Sequence, residues 1–143
     1  MCLRSCKNNL QCGIPTDCAR RDEHSGWTTD AEQQSQEGCY YTNMTAFYNQ
    51  WLLDMRETKR GSGGYVDNLV PRQGARAGAI EEDIPWSSAS INVPSNMYMA
   101  TAGKSIVEEE YECMKRFINW CVATSNLCKR KKGRKDYTAD TDC

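Results

Sequence analysis

Between Thr29 and Arg60 the apolar side chains fall three or four positions apart, and this run does most to limit what the chain can become. Tyr40, Met44, Phe47, Tyr48, Trp51, Leu52 and Met55 follow the repeat that lines one face of an α-helix. Thr29-Asp30-Ala31-Glu32 precedes them and fits a capping box. In it the threonine hydroxyl meets the amide at the third helical position and Glu32 reaches back to the cap amide. Lys59 and Arg60 suit the negative end of the helix, and Gly61-Ser62-Gly63-Gly64 stops it. A helix over 29–60 with one broad apolar face must bury that face. Core packing, rather than an aromatic platform for a ligand, is the expected use of the stripe.

A second helical stretch lies downstream. Ser105-Ile106-Val107-Glu108 has the pattern of another capping box, with Glu108 to Glu110 near the positive end of the helix dipole. Val107, Tyr111, Met114, Ile118 and Cys121 are expected to form its inner stripe. Ile84-Pro85-Trp86 leads into a weaker pattern through Ala89, Val93, Met97 and Ala100, which Pro94 would kink or shorten. Residues 61–86 have no sustained periodicity and read as loop, a length that is usually functional when it occurs inside a compact domain. No strand alternation is evident. The sequence thus reads as all-α: a loop at 13–28, a helix at 29–60, a loop at 61–86, a helical hairpin at 87–128 and a basic tail at 129–143.

With 143 residues and a net charge of −1, the chain is one domain or part of one, and overall charge does not point to a nucleic-acid partner. The basic run Lys129 to Lys135 is expected to be a solvated helix end. No apolar run approaches the roughly 18–20 residues a membrane span needs, and the first twelve residues contain no signal-peptide core. Localisation is left open. Nine cysteines admit a disulfide scaffold or a zinc site at Cys2, Cys6, Cys12 and Cys18. The odd count speaks against the scaffold, and the lack of a CxxC pair and the single histidine speak against zinc. Cys113, Cys121 and Cys128 share one helical face, where thiols pack as small hydrophobes. Neither a metal nor another cofactor is expected.

The chemistry is concentrated in Gly13 to Glu32, GIPTDCARRDEHSGWTTDAE. This turn-forming, charge-dense loop feeds a helix, a common setting for a binding or catalytic site. Asp22 and Glu23 are adjacent, so in an extended loop they cannot point the same way. They therefore do not form a pair of opposed carboxylates able to act on a substrate from its two sides. A general acid must also keep its proton, which Arg20 and Arg21 oppose and burial against Trp27 favours.

The pattern TDCxxRDExxGWTxDAE, continuous from Asn9 to about Trp51, closely resembles the catalytic segment of bacterial α-L-rhamnosidases, the family 78 glycoside hydrolases. The resemblance resumes at Ile84-Pro85-Trp86 and runs through EEEYECMKRFINW (Glu108 to Trp120). It implies a toroid of six helical hairpins, an (α/α)6 ring, of which this chain would supply about two hairpins, with residues 1–12 the remnant of a preceding helix. It further implies inverting hydrolysis of terminal α-L-rhamnosyl residues of plant glycosides or polysaccharides. Glu23 would be the general acid, Asp17, Arg21 and Asp30 would contact sugar hydroxyls, and Trp27 and Trp86 would form aromatic walls. The partner is then a rhamnose-containing carbohydrate, and the rest of the toroid is needed for a complete site. The family's general base lies downstream of Cys143, so the isolated chain is expected to be inactive. His24 stands where the family usually has arginine, and Ser87-Ser88 where it often has Gly-Asp. Two rival readings are a non-catalytic, cysteine-rich helical binding module and a metal-dependent regulator with a basic tail.

Overall fold

The computed structural model describes residues 4, 7–11, 14–16, 26–58, 63–71 and 83–132, the last seven as backbone only. The chain is mostly helical. Two-residue strands, β1 (Leu10–Gln11) and β2 (Ile14–Pro15), pair antiparallel with Leu10 opposite Pro15. Thr16 prolongs this small hairpin, its amide and hydroxyl both donating to the Asn9 carbonyl at 2.7 and 2.9 Å. The helices are α1 (Thr28–Tyr41), α2 (Thr45–Thr58), the single turn α3 (Ile84–Ser87), α4 (Ala89–Thr101) and α5 (Lys104–Lys132).

The helix expected over 29–60 is therefore two helices. At Thr42 the backbone is extended (φ −151°, ψ 158°), and Asn43 Oδ1 accepts from the Thr45 amide at 3.2 Å. Threonine is stiff at χ1, and asparagine competes for backbone donors, so both favour helix ends over helix interiors. The apolar spacing hides the break because the stripe resumes in phase. Tyr40 falls on the far side of it and is 79% exposed. Met44, Tyr48, Trp51, Leu52 and Met55 face the core as expected.

Neither capping box forms as read. Helix α1 starts at Thr28 behind Trp27, which makes no side-chain cap bond. Helix α5 starts at Lys104, so Ser105 lies inside it and Glu108 falls in the second turn. Glu32 spans two helices instead: Ser88 Oγ donates to Oε2 at 2.9 Å and Asn92 Nδ2 to Oε1 at 2.7 Å. One turn on, Asn96 Nδ2 donates to Ser35 Oγ at 2.9 Å. Polar pairs thus line one side of the α1–α4 contact, and a charge-assisted bond of this kind is worth more than a cap.

The core gathers Ala31, Tyr48, Trp51, Leu52, Met55, Val66, Val70, Ala89, Val93, Met97 and Ile106. Cys39 lies against it, its thiol donating to Met97 Sδ at 3.3 Å. Pro94 is buried within α4 without ending it. Missing its own N–H, it leaves the helix one backbone bond short, and tertiary packing on α1 and α5 holds the helix together regardless. The helix ends at Ala102, a left-handed residue (φ 54°) whose amide donates to the Tyr98 carbonyl at 2.7 Å.

The inner stripe expected on α5 is not the buried one. Tyr111 and Ile118 are 56% and 49% exposed, whereas Ile106, Glu110 and Phe117 are buried. The buried row contains a glutamate, so a reading of apolar spacing passes it over. Glu110 is matched by Arg56 of α2, with Nε 3.0 Å from Oε1, and Arg56 also lies 3.7 Å from Glu109. Farther along the helix, Trp120 stacks on Phe117 and meets Tyr65. Gly64 (φ 134°) crosses here, where a Cβ would stand 2.7 Å from the Arg116 carbonyl oxygen and 2.8 Å from Trp120 Cβ. Cys113 and Cys121 are half-buried; the side chain of Cys128 lies outside the described residues. Lys129 to Lys132 belong to the last turn of α5, so the first part of the basic run is a helix end; residues 133–143 lie outside the described residues.

Candidate functional site

The site is organised by the strap Val66–Val70, part of the stretch that lacks periodicity. Gly26, Trp27 and Thr28 run antiparallel to it. The Val70 amide donates to the Gly26 carbonyl at 2.8 Å and the Thr28 amide to the Asn68 carbonyl at 3.0 Å, with Trp27 bridged to Leu69 between them. The Thr28 hydroxyl adds a longer bond to the same Asn68 carbonyl. A side chain at position 26 would collide with this arrangement, since a Cβ there would lie 2.0 Å from the Val70 carbonyl oxygen. Glycine is required here by close backbone approach.

Two buried side chains hold the strap from behind. Trp51 Nε1 donates to the Val70 carbonyl at 2.9 Å. Ser87 Oγ accepts from the Val66 amide at 3.1 Å and donates to the Val66 carbonyl at 2.8 Å. Every group in these bonds is buried, where an unmade bond is costly. Helix α3 therefore does two jobs. Ser87 grips the strap, and its neighbour Trp86 meets Trp27 with ring centroids 5.2 Å apart and planes inclined at 54°.

Far apart in sequence, Trp27 and Trp86 are brought together as a half-buried aromatic corner. A tilted indole pair has its own attraction and still offers apolar surface. Asp30 lies one turn along, in the first turn of α1, where the helix dipole favours a carboxylate. It borders a polar cleft of about 230 Å³ with Asn9, Thr16, Gln33, Gln34 and Glu37. Asp17, Arg21 and Glu23 lie outside the described residues, in the stretch of sequence between Thr16 of the hairpin and Gly26, which pairs with the strap. Among the described residues no group of three or more histidine, cysteine, aspartate or glutamate side chains is placed to hold a metal ion, and no helix is long and apolar enough to cross a membrane.

Sequence reasoning missed the strap and its two clamps. The signal was slight: Val66, Leu69 and Val70 are apolar within an otherwise polar stretch, and Pro71 closes it. Ser87 and Ser88, the pair that departs from the Gly-Asp of the resembled pattern, have structural partners in Val66 and Glu32.

Comparison with known proteins gives a consistent result. The model of the bacterial α-L-rhamnosidase six-hairpin glycosidase domain matches residues 1–142. An α-L-rhamnosidase of Formosa agariphila is 31% identical over 112 residues, covering 78% of this chain and 12% of the relative. One from Alteromonas sp. strain LOR is 32% identical over 112 residues, covering 75% and 11%. Among solved structures, native α-L-rhamnosidase from Aspergillus terreus superposes with a TM-score of 0.74 at 28% identity, covering 81% of this chain and 13% of that one. The Streptomyces avermitilis α-L-rhamnosidase complexed with L-rhamnose gives 0.69 at 23% identity, covering 82% and 12%. The chain therefore spans about an eighth of the length of the relatives it matches.

Proposed function

Because this chain belongs to the bacterial α-L-rhamnosidase six-hairpin glycosidase family, we propose that it forms the acid-bearing part of a catalytic domain that hydrolyses terminal α-L-rhamnosyl residues of plant glycosides or polysaccharides with inversion. Glu23 is the proton donor to the leaving oxygen. Asp17, Arg21 and Asp30 bond the sugar hydroxyls, and Trp27 and Trp86 receive the apolar face of the deoxy sugar. The observation that carries this reading is the Trp27–Trp86 corner, which begins four residues after Glu23 in the sequence. That a relative of the same fold is solved with L-rhamnose supports the substrate class.

Inversion needs a second carboxylate acting on water from the opposite face, roughly 6.5–9.5 Å from the acid. That base comes from the remainder of the ring, so these residues alone do not turn over substrate. The outer face of α5 is where such a remainder would pack. Besides Tyr111 and Ile118, Val122 is exposed there, at 55%, and an apolar row of this extent is characteristic of a contact surface.

The test is a graft. Residues 13–32 replace the matching segment of a complete relative, with and without Glu23→Gln. Hydrolysis of rhamnosides with poor leaving groups is expected to fall about 100- to 10,000-fold, the usual contribution of a general acid. Aryl rhamnosides with good leaving groups should fall far less, because they need little proton donation. Equal rates with and without the substitution on the poor leaving groups would remove Glu23 from the role.

A further inference from the structure

We propose that Glu32 is a positioning residue for the Trp27–Trp86 corner, tying the turn that carries Trp86 to the helix that starts behind Trp27. This rests on the reading of the two indoles as sugar contacts. Trp27 immediately precedes α1, and Glu32 lies one turn into that helix. Trp86 belongs to α3 and is followed by two serines that grip different elements. Ser87 holds the strap, which pairs with Gly26 and Thr28 on either side of Trp27. Ser88 holds α1 through Glu32. With the strap alone, α3 has one polar attachment and is free to pivot about Ser87. Glu32 supplies the second.

Two acceptors on one long side chain are what this place needs. Ser88 Oγ lies 2.9 Å from Glu32 Oε2, and Asn92 Nδ2, one turn along α4, lies 2.7 Å from Oε1. Ser88 Oγ also lies 2.6 Å from the Pro85 carbonyl. A hydroxyl has one proton, so Glu32 and Pro85 share it. Thr29 Oγ1, in the first turn of α1, stands 3.5 Å from the same carbonyl. Pro85 and Ser88 bracket Trp86, so the backbone on both sides of that indole is referred to one face of α1. An amide fits here as well as a carboxylate does. Its oxygen accepts from Asn92, its nitrogen donates to Ser88 Oγ, and the serine proton goes wholly to Pro85. The corner therefore requires the length and the two polar ends of Glu32, not its charge. The indoles meet at 5.2 Å with planes inclined at 54°, and a small swing of α3 would part them and change the apolar surface they offer.

The test uses the full chain and reads the corner directly. Methyl α-L-rhamnoside is titrated while the Trp27 and Trp86 indole N–H signals are followed by NMR, and circular dichroism reports the coupling of the two indoles. Glu32→Ala should abolish the coupling and weaken binding about tenfold, the worth of one well-placed aromatic contact. Glu32→Gln should keep the coupling and bind within about twofold of the parent. Asn96→Ala is the control for packing alone. It removes the 2.9 Å bond to Ser35, one turn farther along the same α1–α4 contact, and should leave coupling and binding unchanged. If Glu32→Ala loses no more than Asn96→Ala, or if Glu32→Gln fails as Glu32→Ala does, the proposal is overturned. Should Glu32→Ala not fold, Asn92→Asp takes its place, because it sets like charges against each other. It should break the coupling, and Glu32→Gln in the same chain should restore it; no restoration overturns the proposal. Coupling that depends on Glu32 in a chain that binds no rhamnoside keeps the positioning role and removes the sugar reading. Rhamnoside that shifts both indoles equally in the parent and in Glu32→Ala does the reverse.

Discussion

Ser87→Ala should be among the most damaging single-atom deletions in the chain. The hydroxyl makes two bonds to one residue, donating to the Val66 carbonyl at 2.8 Å and accepting from the Val66 amide at 3.1 Å. Ser87 and Val66 are both fully buried, so water does not replace the lost partner. Leaving a buried donor or acceptor unpaired costs about 1–3 kcal/mol, and two such groups on one residue share some relaxation, so the expected loss is about 2–4 kcal/mol. Ser88→Ala is the internal control. Its hydroxyl also bonds a side chain of α1, but Glu32 keeps the Asn92 amide as a donor and Ser88 is half-buried, so about 0.5–1.5 kcal/mol is expected. Urea unfolding followed by far-UV circular dichroism, at one fixed protein concentration, gives both values. The same spectra report the Trp27–Trp86 pair, because indoles this close couple their transitions. That coupling should weaken in Ser87→Ala and persist in Ser88→Ala. A Ser87→Ala protein within about 0.5 kcal/mol of the parent, or one no weaker than Ser88→Ala, would refute the view that this hydroxyl holds the strap.

Gly26→Ala tests the other side of the strap: the new methyl would overlap the Val70 carbonyl oxygen and part the 2.8 Å bond between the Val70 amide and the Gly26 carbonyl, for an expected loss of about 2–4 kcal/mol. A urea midpoint unchanged from the parent would show that loop and strap are held less closely. Ala102→Gly should act in the opposite direction, because an alanine at φ 54° bears a left-handed cost of roughly 1–2 kcal/mol that glycine avoids, less the freedom glycine adds to the unfolded chain. A gain of about 0.5–1 kcal/mol in unfolding free energy is expected, and a loss would mean that the methyl makes contacts worth more than the strain.

What was legible in the sequence was whatever a single element decides for itself. The α2 stripe was, because Tyr48, Trp51, Leu52 and Met55 are apolar, three or four apart and all on one side. The break at Thr42-Asn43 was not, since a local propensity for helix ends competes there with an apolar period that runs on unchanged. Glu32 was misassigned for a related reason. A capping box is a local pattern, while Ser88 and Asn92 reach Glu32 from far along the chain, and no local pattern records that. The site divides in the same way. Trp27 and Asp30 stand out in a charge-dense loop, but the Val66–Val70 strap that positions Trp27 does so through backbone bonds, which leave little trace in residue type. Ser87 leaves still less, because serine in a short helix has many uses.

Helix α5 has two apolar rows, one with Ile106 and Phe117 and the other with Tyr111, Ile118 and Val122. Only the first is buried in this chain. The choice between them is made by a charge: Arg56 stands on α2 opposite Glu110, so the row that contains a glutamate turns inward and the row without one turns out. Removing either partner from such a pair leaves a poorly solvated charge behind, which ties the orientation of α5 to α2 more firmly than a slide between two similar apolar rows would. A long helix that is apolar on two sides belongs between layers, not at the edge of one. In a family built from six hairpins, with this chain spanning about an eighth of each relative, the second row of α5 is what the next layer would cover. The electrostatic match that orients α5 inside this chain therefore also determines which apolar row stays exposed.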